Sequence, residues 1–115
     1  MLRVVRVGGD SMSPTLENGD FVVALGAPLA RQHRAGDVVI VDHARLGLIV
    51  KRIAELDPSG NWVQLEGDSA ASTTREALGR VPCHHVKGRA ILRIAPAPRG
   101  TSRLPRGLPR RPPSG

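Results

Sequence analysis

Short apolar runs separated by polar, turn-forming breaks run along the first 95 residues. LRVVRV at 2–7 predicts a Val-rich first strand, FVVAL at 21–25 a second and VVIVD at 38–42 a third. The longest apolar run, LGLIVKRIAEL at 46–56, predicts a fourth strand. Asp57-Pro58-Ser59-Gly60-Asn61 then reads as a tight turn, and WVQLE at 62–66 is expected to pair back as a hairpin. A last strand is expected from about residue 86 to 94. Between the first two strands lies GGDSMSPTLENGD, in which Ser13-Pro14 has the pattern of an N-cap followed by Pro at the first position of one helical turn, ended by Asn18-Gly19. Many short strands with Gly and Pro punctuation predict an all-β single domain over 1–95, a small closed or folded-over sheet of mostly antiparallel strands. From 96 to 115 Pro, Arg and Gly dominate, and this stretch reads as a basic disordered tail.

Composition sharpens this picture. At 115 residues the chain holds one modest core, and with Phe21 and Trp62 as its aromatics that core is built from Val, Ile, Leu and Ala. The formal charge is +7, of which residues 97–115 supply +5 through five Arg and no acid. Such a tail can make weak, salt-sensitive contact with acidic surfaces, while the scarcity of aromatics argues against base stacking on nucleic acid. Cys83 is the sole cysteine, so no internal disulfide forms, and no run approaches the ~20 apolar residues that span a bilayer. The start MLRVVRVGGD, interrupted by Arg3 and Arg6, lacks the apolar stretch of a secretory leader. A soluble, cytoplasmic protein is expected.

Two residues invite a chemical reading. Of 17 basic side chains only Lys51 and Lys87 are lysines, and Lys51 sits inside an apolar strand. Alternation places Ile49, Lys51 and Ile53 on one face, where apolar neighbours would lower the amine pKa and make it a base, a role arginine cannot fill. The same pattern also fits a lysine snorkelling from a half-exposed strand. Ser11 lies in a Gly-Gly-Asp-Ser-Met loop that exposes a hydroxyl and gathers backbone N–H groups able to hold an oxyanion, though it also fits an ordinary turn. His33, His43, His84 and His85 show no metal-ligand spacing. As neighbours on a strand, His84 and His85 would face opposite ways, with Cys83 sharing a face with His85. Neither a metal nor a cofactor is expected.

Taken together, Ser11-Met12-Ser13-Pro14-Thr15-Leu16, Gly19-Asp20, Val50-Lys51-Arg52-Ile53 and Gly67-Asp68-Ser69 resemble, in motif and order, the signal peptidase family of Ser–Lys proteases. The resemblance covers about residues 4–94. It implies a serine endopeptidase with Ser11 as nucleophile, Lys51 as general base, Ser72 orienting the lysine amine, and the Gly9 and Ser11 backbone in the oxyanion region. Met12, Asp68 and Arg75 would be structural supports. The third box departs from the family pattern: Ser69 stands where Asn is usual, and an Asp-Ser-Arg run is reduced to Thr74-Arg75. The large inserted β domain and the anchor ahead of the serine box are expected to be absent. Small unanchored relatives of this kind resemble the maturation proteases of nickel-type superoxide dismutase, which remove an N-terminal leader from a precursor. The substrate would bind as an extended strand. A general leader peptidase and an inactive peptide-binding module on the same fold are the alternatives, and a self-cleaving SOS-type repressor would need a DNA-binding domain ahead of the serine.

Overall fold

The Val-rich runs pair where their alternation places them. The computed structural model describes residues 2–9, 11–26, 32–69, 75–96 and 100–104. The strands are β1 (Leu2–Arg6), β2 (Phe21–Leu25), β3 (Val38–His43), β4 (Gly47–Leu56), β5 (Trp62–Glu66), β6 (Arg80–Pro82), β7 (Val86–Ala95) and β8 (Gly100–Arg103), with a single helical turn α1 (Arg75–Leu78) before β6. They form one sheet in the order β1-β2-β7-β3-β4-β5-β6, with β8 added to β7. Every pairing is antiparallel. The fold is the all-β domain that the pattern predicts.

Long-range return of β7 between β2 and β3 closes the topology. Its first half pairs β3 through Arg89↔Val39 and Gly88↔Ile40, and its second half pairs β8. Gly88 is required here, because a Cβ would lie 3.0 Å from the Leu25 carbonyl oxygen and 3.3 Å from Ala24 Cβ. Two apolar clusters fill the interior. One gathers Val39, Val41, Ile53, Val63, Leu65, Leu78 and Val81. The other gathers Val7, Met12, Leu16, Val22, Val38 and Ala90.

Four local expectations are corrected. Residues 11–15 form turns rather than a capped helix: the Ser13–Pro14 peptide is cis, and Ser13 Oγ donates to Glu17 Oε1 at 2.6 Å instead of capping. Cys83–His85 is a 3-10 turn, so His84 and His85 do not project to opposite faces. Their rings meet edge to face, with centroids 4.5 Å apart. The short elements α1 and β6 lie between β5 and the last predicted strand, where the sequence pattern predicts no element. Finally, the stretch read as a disordered tail includes β8, whose Gly100–Arg103 pairs residues 92–95 of β7. The edge of β7 beyond β3 supplies the open hydrogen bonds that this short polar segment satisfies.

Candidate active site

The serine loop is held by its own apolar residues. Met12 and Leu16 are fully buried in the second cluster, and burial of each contributes about 1.5–3 kcal/mol. Leu16 N–H donates to the Met12 carbonyl at 2.9 Å, and the Asp20 carboxylate accepts from Glu17 N–H at 2.8 Å. Val7 N–H reaches the Asp20 carbonyl at 2.7 Å, and Gly19 N–H the Val7 carbonyl at 2.9 Å, so the loop closes on the end of β1. Gly9 takes a positive φ of 77° and donates its amide to Asn18 Oδ1 at 3.0 Å. That amide is therefore engaged by Asn18 and shapes the loop. Ser11, half-buried, is left at the mouth of the turn.

Lys51 lies in the middle of β4, opposite Val39 of β3. It is 5 % exposed, and burial pushes its pKa below the ordinary lysine value. Desolvation penalises the ammonium and favours the neutral amine. Ser11 and Lys51 line one cleft of about 350 Å³. Its walls are residues 5–8, at the end of β1, and residues 48–51 of β4, with Met12 at its base. Among the described residues β1 pairs with β2, and β5 joins β4 from Arg52 onward, next to the cleft-lining residues 48–51. Among the described residues no histidine lines this cleft.

A charged staple ties the three sequence boxes together. Arg52 Nε donates to Asp68 Oδ1 and Nη2 to Asp68 Oδ2, both at 2.7 Å. The two side chains are 8 % and 13 % exposed. Thr15 Oγ1 donates to Asp68 Oδ2 at 2.5 Å, and Arg52 Nη1 donates to the Gly36 carbonyl at 2.6 Å. Ser69 N–H donates to the Ser11 carbonyl at 2.9 Å, directly fastening the third box to the serine. Arg93 Nη1 adds a bond to the Thr15 carbonyl at 3.0 Å. Asp68 is thus bound to Arg52 and Thr15, and Met12 is packed in the second cluster. Ser72 lies outside the described residues. Arg75 opens α1, and its side chain is likewise outside what the structure describes.

Arg52, Thr15 and Arg93 are the contributors that sequence reasoning left without a role. Arg52 and Thr15 stand inside the motif boxes, and their position beside Lys51 and one turn from Ser11 was the available signal. Arg93 carried none, because its contact spans 78 positions of chain.

His43 is used elsewhere. Its Nδ1 accepts the Arg45 and Leu46 amides at 3.1 and 3.2 Å, which leaves the proton on Nε2 to bond the Leu78 carbonyl at 2.9 Å. Burial and the nearby Asp57 push the Cys83 thiol up, away from thiolate chemistry. Among the described residues no group of three His, Cys, Asp or Glu side chains is placed to hold a metal ion.

The model of one protein family, Peptidase S24-like, matches residues 1–89, which include the serine loop, β4 and the Asp68 segment. The chain belongs to the Peptidase S24-like family. Its members are serine-type peptidases, hydrolases of peptide bonds. No curated protein matches the chain. For this S24-like domain the candidate site is the pair of unlike residues that line one cleft, Ser11 on a pinned turn and the buried Lys51 of β4.

Proposed function

We propose that the protein is an endopeptidase with a Ser11–Lys51 dyad that removes an N-terminal leader from a precursor protein, with the precursor of nickel-type superoxide dismutase as substrate. The observation that carries the dyad is that the buried Lys51, its pKa lowered by desolvation, lines the same cleft as Ser11.

The substrate adds as an extended strand in the cleft between β1 and β4, where backbone groups supply hydrogen bonds and Val5, Val7 and Ile49 offer apolar contact. Neutral Lys51 Nζ accepts the proton of Ser11 Oγ as that oxygen bonds the scissile carbonyl carbon. The oxyanion is held by the Ser11 backbone N–H. The Lys51 ammonium then gives its proton to the leaving amine as the peptide C–N bond breaks. Water, deprotonated by the again-neutral amine, releases the acyl group and restores Ser11. Ser72 orients the amine in this scheme, a role carried over from the sequence resemblance. The enzyme works in the cytoplasm and needs no cofactor. The span from Lys51 to Gly67, too short for a large inserted domain, and the Arg-rich composition support the maturase branch over a general leader peptidase.

Purified protein mixed with a nickel superoxide dismutase precursor tests this reading by intact mass. A single mass loss, abolished by Ser11→Ala and by Lys51→Met, is the expected result. An intact precursor would remove the assigned substrate, and cleavage that survives either substitution would remove the dyad.

A further inference from the structure

Among the described residues, the outer face of the β1-β2-β7-β8 half of the sheet carries exposed apolar side chains. Registered neighbours share a face, so three rows of side chains can be read across it. One row is Val4, Val23, Leu92 and Arg103, the next is Arg6, Phe21, Ile94 and Thr101, and the last is Leu2, Leu25 and Arg89. Leu2 is 61 %, Val4 63 %, Phe21 43 % and Ile94 38 % exposed. The intervening Val22, Ala24 and Ala90 are buried on the opposite side, which fixes the outward direction of these rows. A contiguous apolar patch of this kind on a sheet face marks an interaction surface.

Charge selects the occupant. These four strands hold no Asp or Glu, and arginine is interleaved with the apolar positions instead of confined to the patch border. A second copy of the same face would set Arg6 and Arg103 against a surface with no carboxylate to answer them. A protein surface carrying apolar residues and spaced carboxylates answers these arginines, and arginine with aromatic side chains is enriched at such interfaces. Location supplies the rest. β1 gives its residues 5 and 6 to the cleft wall and its Leu2 and Val4 to the outer face, so whatever sits on this face lies beside the scissile bond.

We propose that this face is a docking site for the body of the protein substrate, which presents an acidic, apolar surface to it while its leader enters the cleft. The inference rests on the endopeptidase reading above. The test compares two probes, the full nickel superoxide dismutase precursor and a short peptide spanning its leader junction, with wild type, Val4→Glu and Arg103→Glu. Circular dichroism identifies any variant that has lost its fold, and Arg103→Glu, an exposed charge on the last strand, keeps the test open if Val4→Glu unfolds. The expected result is a loss of about tenfold or more in kcat/KM on the precursor, carried by KM, with peptide cleavage unchanged. Equal cleavage of precursor by folded variants and wild type overturns the docking site and leaves the protease intact. Failure of wild type to cleave either probe overturns the protease reading for this substrate and the docking site with it. Co-sedimentation of the protein with phosphatidylglycerol vesicles, or a dimer in analytical ultracentrifugation, lost in either case on Val4→Glu, would assign the face to a different occupant and also overturn it.

Discussion

Arg52 and Asp68 meet in a two-pronged ion pair, Nε to Oδ1 and Nη2 to Oδ2, each at 2.7 Å. The pair joins the strand that carries Lys51 to the segment whose Ser69 amide holds the Ser11 carbonyl. Both side chains are nearly buried, so removing one leaves the other charged and desolvated. Asp68→Ala is expected to cost about 3 kcal/mol in chemical denaturation. Peptidase activity should fall further than stability requires, because Thr15 and Ser11 lose their anchor together. A loss under about 1 kcal/mol with full activity would show that the staple does not set the site.

The lowered pKa of Lys51 fixes the sign of two pH effects. The neutral amine is the active form, so the peptidase rate should rise with pH through that lowered value. The folded state holds this proton less tightly than the unfolded state. Stability attributable to Lys51 therefore rises with pH between the lowered folded value and the ordinary lysine value, and is lost on acidification through that window. Lys51→Met should abolish the rate dependence, and in denaturation at neutral pH it should be at least as stable as wild type. A flat rate profile in wild type would contradict the assignment.

Lys51→Arg keeps the charge and the stem but offers no proton acceptor. It should lose at least about a hundredfold in turnover of the leader peptide, the scale of a removed general base. Retained turnover would show that the positive charge, and not the base, is what the site needs.

Cys83 lies outside the cleft, and its thiol is pushed up by burial and Asp57. Iodoacetamide at neutral pH should label it more slowly than a free cysteine, and Cys83→Ala should leave turnover unchanged. Rapid labelling together with lost activity would give the thiol a part in the reaction.

Much of this was legible in the sequence because it depended on local period. Val22 and Ala24 alternate with Phe21, Val23 and Leu25, and the structure buries the first pair completely. The Asp57–Asn61 turn punctuates the β4–β5 hairpin as its residue types require. Lys51 announced itself as a lysine among arginines. Features that escaped depend on distant partners. β8 exists because β7 outruns β3 and leaves an edge, which no property of Gly100–Arg103 reveals. Cys83–His85 turns instead of extending, and Pro82 ahead of it, paired with Trp62, marks where β6 stops. Arg52 carries a fixed positive charge in a buried place, a cost that only the facing Asp68 makes tolerable. Alternation alone would have sent it to water.

The central claim is that the Lys51 amine is the base for Ser11, and chemical rescue tests it most directly. In a Cys83→Ala background, Lys51→Cys should be inactive on the leader peptide. Alkylation with 2-bromoethylamine then rebuilds an amine at nearly the length of lysine, and turnover should return, with a pH dependence shifted toward that of the new amine. Lys51→Cys that cleaves before alkylation, or an alkylated protein of native fold that stays inactive, would contradict the dyad.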